Sequence, residues 1–152
     1  MPVLTGSQPG TVLLDVNILL AFAIIGHDHH TKVYRWFKGS GSKAFSTCAM
    51  TQSGFVRLIS NPSIYKVRVS HESAIATLGN LTSRGEHLFW PMDVDYETAV
   101  APIRKRISNH QQTTDAYLLG LAIHHKGRLA TMDRGILHLA GPEFADSVEL
   151  IV

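Results

Sequence analysis

Three aspartates and one glutamine stand where chemistry could be done. The stretch "VLLDVNILLAF" (Val12 to Phe22) is an apolar run that carries Asp15 and Asn17 in its middle. A carboxylate kept in such a run needs a cation or good hydrogen-bond partners. Asp133, in "RLATMDRG", closes a second short apolar run in the same way. In "TTDAYLLGLAIHHKG" the residues Leu118, Leu119, Ala122 and Ile123 form an apolar stripe, and counting back by three and four lands on Asp115. Between Ala49 and Ile59, the same count from Phe55 and Val56 lands on Gln52. Singly, each has an ordinary reading: Asp115 as an acid at a helix start, Gln52 as an amide satisfying local backbone groups. Jointly they are harder to dismiss. Crowded carboxylates repel one another and hold raised pKa values unless a cation neutralises them. A hard divalent ion is the simplest resolution, and Mg²⁺ takes one or two carboxylates, keeps several waters and completes its shell with substrate phosphate. The sequence carries no glycine-rich phosphate loop, which disfavours a nucleoside triphosphate. Metal-assisted attack on a phosphodiester fits better, one ion activating water and a second steadying the leaving oxygen.

The elements that must position these residues follow from periodicity and punctuation. Short apolar runs predict strands at Thr11–Leu14, Ala44–Thr47, His87–Trp90, Arg128–Thr131 and Val148–Val152. Helical patterns run over Asn17–Ile25, ended by Gly26, and over His30–Lys38, stopped by "GSGS" (Gly39 to Ser42). Another covers Ala49–Ile59, closed by Asn61-Pro62. Ser70–Ser83 is amphipathic, with Ile75, Leu78 and Leu81 expected inward and Ser70 as N-cap. Asp95–Ile107 is helical with a break at Pro102. Thr113–His125 is the cleanest helix, with Gly127 as its stop. Trp36, Phe37, Phe55 and Phe89 are expected in the core.

Strands that are continuously apolar and alternate with helices indicate a parallel sheet covered on both faces. In such sheets ligands bind outside the carboxyl ends of the strands, where the strand order reverses. If the chain winds outward through three strands and returns beside the first, strands one and four become neighbours. Asp15 and Asp133 then meet at the reversal, with Asp115 and Gln52 opening toward the same edge.

With these residues in place, the chain resembles the PIN-domain ribonucleases, in particular the VapC toxins of bacterial toxin–antitoxin pairs. The resemblance rests on "LLDVNILLAF", "TQSGFVRLISNP" and "TTDAYLLGLAIHHKGRLATMDRGI", with the strand–helix order between them, and covers nearly the whole chain. It implies a single PIN-like domain over residues 1–152, an α/β fold of three α/β/α layers with a central parallel sheet of order 3-2-1-4-5. It implies endoribonuclease action dependent on Mg²⁺ or Mn²⁺, a homodimer, and a cognate VapB-type antitoxin that blocks the site. Asp15, Asp115 and Asp133 match three of the family's acidic positions, and Asn17 follows the first acid as is common there. Thr131 resembles a polar residue that helps position the site's water. One departure stands out. The family usually places a glutamate where this chain has Gln52. An amide carbonyl can still ligate a hard cation, weakly or through water, but it brings no charge, so the number of ions stays open.

Composition sets the outer bounds. At 152 residues, with 45% hydrophobic and 17% charged, the chain is an ordinary globular protein with a substantial core. A net charge of +2 permits a nucleic-acid partner without arguing for one. The single cysteine, Cys48, excludes an internal disulfide and a cysteine-rich zinc site, and fits a reducing compartment. No apolar run approaches the ~20 residues of a membrane span, and "MPVLTGSQPG" does not read as a secretory signal, so a cytoplasmic location is expected. Arg57 and Arg134 are candidates for RNA phosphates, and "IRKR" (Arg104, Lys105, Arg106) with His110 for one wall of an RNA groove, solvated surface being the alternative. "HDHH" (His27 to His30) lacks zinc-ligand spacing, and Asp28 is expected to cap the next helix. Two rival functions remain: a non-catalytic PIN-like module that binds RNA or protein, and a dehalogenase-type phosphatase. The latter wants an aspartate where Asn17 stands.

Overall fold

The computed structural model describes residues 10–39, 44–64 and 67–152. Five strands, β1 (Val12–Leu14), β2 (Phe45–Thr47), β3 (His87–Phe89), β4 (Arg128–Thr131) and β5 (Val148–Leu150), form one sheet in the order β3-β2-β1-β4-β5. All four pairings are parallel, with Val12 opposite both Phe45 and Arg128, and Leu14 opposite Ala130. The expected order and the reversal beside β1 are therefore present.

The pleat explains why β1 is apolar at every position. Val12 and Leu14 face a core shared with α1 (Val16–Ala23), α2 (His30–Lys38), α3 (Ala49–Ile59) and α4 (His71–Thr82), where Phe22, Phe37, Phe45 and Phe55 meet. Leu13 faces the opposite core, formed by Trp90, α5 (Tyr96–Val100), α6 (Thr113–His124) and α7 (Arg134–Phe144). A strand covered on both faces has no solvent side on which to alternate. The result is three layers, α/β/α.

Local chemistry sets several boundaries. Ser70 caps α4 by accepting from the Ser73 N–H at 3.0 Å, and Asp95 caps α5 by accepting from Thr98 at 2.8 Å. The break at Pro102 is real: α5 gives way to a 3₁₀ turn over Ala101–Arg106 with the proline in its first turn. The stop after α6 differs from expectation. Lys126 takes the left-handed conformation at φ 57°, and its N–H and that of Gly127 bond back to Ile123 and Ala122 at 3.0 and 2.9 Å. Gly127 is required by packing instead, because a Cβ there would press on Thr11's carbonyl and the Trp90 ring.

Other expectations are corrected. Helix α1 ends at Ala23, two residues before Ile25, and β5 ends at Leu150, before Val152. Ile75 is 48% exposed, because Ala74, Leu78 and Leu81 form the inward stripe of α4 and Ile75 lies on its rim. Phe89 is 41% exposed, since β3 is an edge strand. Trp36 is only partly buried; its indole N–H donates to Glu149 at 3.0 Å. Helix α7 was not anticipated, as Gly135, Gly141 and Pro142 punctuate it; Gly141 kinks it at φ 64°. The lead before Gly10 and Ser40 to Ser42 of the "GSGS" stop lie outside the described residues.

Candidate functional site

Asp15 is the first residue beyond β1. Its N–H extends the ladder to Ala130 at 3.1 Å, while its carbonyl accepts from Leu19 at 2.9 Å and so opens α1. The side chain makes no capping bond to α1 and turns toward β4, where the Thr131 hydroxyl donates to Oδ2 at 3.0 Å. Only 8% of Asp15 is exposed. Burial pushes its carboxyl above the usual carboxylate range, the Thr131 hydroxyl and the Val16 N–H pull it back, and Asp133 pushes it up again.

Asp133 caps α7, its Oδ1 accepting from the Gly135 N–H at 2.8 Å, and its own N–H donates to Thr131 Oγ1 at 3.0 Å. Thr131, fully buried, therefore ties the two strand ends together through one hydroxyl. Asp115 sits in the first turn of α6, half-buried, where the helix N-terminus favours an anion. Its carboxyl is nevertheless pushed up to about 6, first by burial, then by Asp15, then by Asp133. The three carboxylates thus lie within mutual electrostatic range at the carboxyl edge of the sheet. Among the described residues, hydroxyl and backbone amide groups relieve the charge on Asp15 and Asp133, and a divalent cation would complete that relief. The donor set is all oxygen and suits a hard ion.

Gln52 lies one turn into α3, immediately beyond β2. Its amide donates to Thr47 Oγ1 at 3.0 Å, and Thr47 Oγ1 is 2.7 Å from His87 Nε2. Burial lowers the His87 pKa, and Gln52, Thr47 and His87 form a hydrogen-bonded chain of side chains from α3 to β3. Gln52 also lines a groove of about 500 Å³ between α3 and α4, together with Arg57 and Ile75.

The basic residues scatter. Arg134 opens α7 beside Asp133 and lines a shallow groove with Leu137 and Pro142. Arg104 and Lys105 are exposed on the 3₁₀ turn, while Arg106 is half-buried with its guanidinium packed over Gly141. Two residues escaped the sequence reading. His27 and His29, with Asp28, line a cavity of about 470 Å³ in front of Asp15, Asn17, Met132 and Asp133. His27 accepts the His29 N–H at Nδ1, 3.1 Å away, and burial with the neighbouring His29 lowers its pKa. His29, not Asp28, occupies the N-cap position of α2, so the expected Asp28 cap does not form. The "HDHH" motif held the signal, but only the fold of its turn reveals which cavity it faces.

Known proteins agree with this geometry. Residues 12–142 match the PIN domain family. The chain is 40% identical over 126 residues to Ribonuclease VapC39 of Mycobacterium tuberculosis, an alignment covering 83% of this chain and 91% of the relative. It is 40% identical over 130 residues to Ribonuclease VapC44 of the same organism, covering 86% of this chain and 91% of the relative. To Ribonuclease VapC38 it is 36% identical over 139 residues, covering 91% and 96%. A parallel sheet of order 3-2-1-4-5 with three acids gathered at its reversal point, together with these matches, leads to one assignment. The chain belongs to the PIN-domain family, within its VapC-type ribonucleases.

Proposed function

We propose that the protein is a divalent-metal-dependent endoribonuclease, the toxin of a toxin–antitoxin pair, hydrolysing RNA phosphodiesters in the cytoplasm. The observation that carries this reading is the convergence of Asp15, Asp115 and Asp133, where burial, and after it the charges of Asp15 and Asp133, pushes the Asp115 carboxyl up to about 6. These three side chains hold Mg²⁺, with Mn²⁺ as substitute, and Gln52 contributes weakly or through water. A bound ion supplies Lewis acidity to the phosphodiester and lowers the pKa of the attacking water. Thr131 fixes the Asp15 carboxylate by its 3.0 Å hydrogen bond, so that one oxygen is oriented before any substrate arrives. Arg57, Arg134, Arg104, Lys105 and Arg106 are assigned to RNA phosphates, which position a strand without reading its sequence. The functional unit is a single domain, pairs as a homodimer, and is silenced by a VapB-type antitoxin. Among the described residues, no helix is long and apolar enough to cross a membrane.

The test is direct. Purified protein is incubated with RNA in Mg²⁺, in Mn²⁺ and in chelator, beside a folded Asp15→Ala variant. Cleavage in either metal, lost in chelator and in the variant, is expected; no cleavage in either metal overturns the assignment.

A further inference from the structure

At the opposite end of α6 from Asp115, four donor atoms converge without any part in the acidic cluster. His124 and His125 end the helix, and the segment after β3 brings Pro91 and Asp93 against them. Asp93 Oδ1 lies 3.1 Å from His124 Nε2 and 3.4 Å from His125 Nε2, and the latter is 3.0 Å from the Pro91 carbonyl oxygen. The two imidazoles and the carboxylate have their ligand atoms within 4.8 Å of one another.

We infer that Asp93, His124 and His125, with the Pro91 carbonyl, form a second metal site that takes a borderline transition ion such as Zn²⁺. A tetrahedral ion about 2.0–2.2 Å from each donor sets neighbouring donors about 3.3–3.6 Å apart. The 3.0 and 3.1 Å separations are a few tenths of an ångström shorter, the 3.4 Å separation already fits, and the three side-chain ligand atoms lie within 4.8 Å of one another, so side-chain movements close the site. Two imidazole nitrogens and one carboxylate select Zn²⁺, Co²⁺ or Ni²⁺ over Mg²⁺, which prefers oxygen and retains water. On binding, each ring would present its Nε2 lone pair to the ion with the proton on Nδ1, in place of the hydrogen bond that Nε2–H gives to the Asp93 carboxylate or to the Pro91 carbonyl.

The surroundings prepare the site. His125 is buried and stacked on Trp90, ring centroids 4.7 Å apart and planes 19° from parallel, which holds its Nε2 toward Pro91. The Trp90 backbone N–H donates to the Thr47 carbonyl at 2.9 Å, which fixes the chain beneath the ring. Beyond Asp93, the Val94 carbonyl accepts from the Tyr117 hydroxyl at 2.8 Å, fixing the segment to α6 on that side too. The donors therefore lie on two supported strands of chain, at a helix C-terminus whose dipole favours a cation. Asp93 and His124 are exposed, leaving an entry path from solvent. An ion there would staple the β3–α5 connection to the end of α6 and leave the acidic cluster untouched.

The test uses untagged full-length protein carrying Asp15→Asn and Asp115→Asn, which silences the acidic cluster. Co²⁺ and Zn²⁺ are titrated by visible absorption and calorimetry, alone and with His124→Ala or Asp93→Ala added. Both added positions are exposed, and circular dichroism confirms folding. One equivalent of Co²⁺ with the strong absorption of a tetrahedral nitrogen-containing site is expected, Zn²⁺ displacing it. Each added substitution should weaken binding at least tenfold. No binding in the parent, or full affinity in either substituted protein, overturns the inference. The failure of the ribonuclease assignment would leave this result unaffected, because no readout depends on cleavage.

Discussion

Replacing Asp115 with asparagine should make the metal-free protein more stable while destroying its activity. The reason lies in the cost of gathering three acids. Asp115 rises from the ordinary 3.8 to about 6, through burial and then the Asp15 and Asp133 charges. At about 1.4 kcal/mol for each pKa step, that rise corresponds to about 3 kcal/mol against the ionised folded state. Asp115 is only partly buried, and solvent screening leaves roughly half of this, about 1.5 kcal/mol. The sign follows from proton counting. Between pH 4 and 6 the folded chain holds more protons than the unfolded chain, so stability falls as pH rises through that window and the full penalty applies above it. Asp115→Asn removes the penalty. In chelator at pH 7.5 its melting temperature should exceed that of the parent by about 3–6 °C. At pH 4 the folded parent is protonated at Asp115 and the unfolded chain about two-fifths so, and the gain should shrink to roughly a fifth. Adding Mg²⁺ should reverse the ranking, raising the parent and not the variant. Equal melting temperatures at pH 7.5, or the same gain at both pH values, would refute the reasoning.

Three further outcomes follow from named contacts. Thr131→Val removes the donor to Asp15 and the acceptor for the Asp133 N–H; it should cost about 3 kcal/mol in urea unfolding and raise the Asp15 pKa further, and a loss within error of zero would contradict the bridging role. Gln52→Glu should tighten Mg²⁺ binding in calorimetry and raise the His87 pKa by NMR, because an introduced carboxylate accepts the Thr47 hydroxyl and leaves the Thr47 oxygen to accept from a protonated His87; an unmoved His87 would show that the chain of hydrogen bonds does not pass through residue 52. Gly120→Ala would drive a methyl group into the Ala99 carbonyl, where α5 and α6 touch; it should destabilise by about 3 kcal/mol and lower cleavage by shifting Asp115, with parental stability as the contrary result.

Much of this was legible from residue types because the strongest signals were local. Helices α2 and α3 begin and end where their stripes and breakers say, since amphipathic periodicity and chain punctuation are written in neighbouring residues. The acids were visible as polar residues at the ends of apolar runs, and the sheet order followed from continuous strands that alternate with helices. What escaped was non-local. Which cavity the "HDHH" turn faces depends on how it folds back toward the strand-end acids. Helix α7 contains two glycines and Pro142 and is held by packing on Ile136, Leu139 and Ala140, where tertiary contacts override propensity. Phe89 is apolar yet exposed because the sheet ends at β3, and nothing within the strand records that it lies at an edge.

The hydrogen bond between Thr131 and Asp15 spans 116 positions of the chain, and this has a consequence for synthesis. Strand β1 emerges early but must wait for β4 before its second edge is paired. Asp115 and Asp133 also come after Asp15 by 100 positions or more, so a growing polypeptide carries one acid of the cluster until α6 emerges. A chain that stalls before β4 has neither the charge nor the sheet edge to bind a cation there. The ribosome making this protein therefore works beside an incomplete nuclease until β4 has emerged, and hazard and need for restraint begin together at that point.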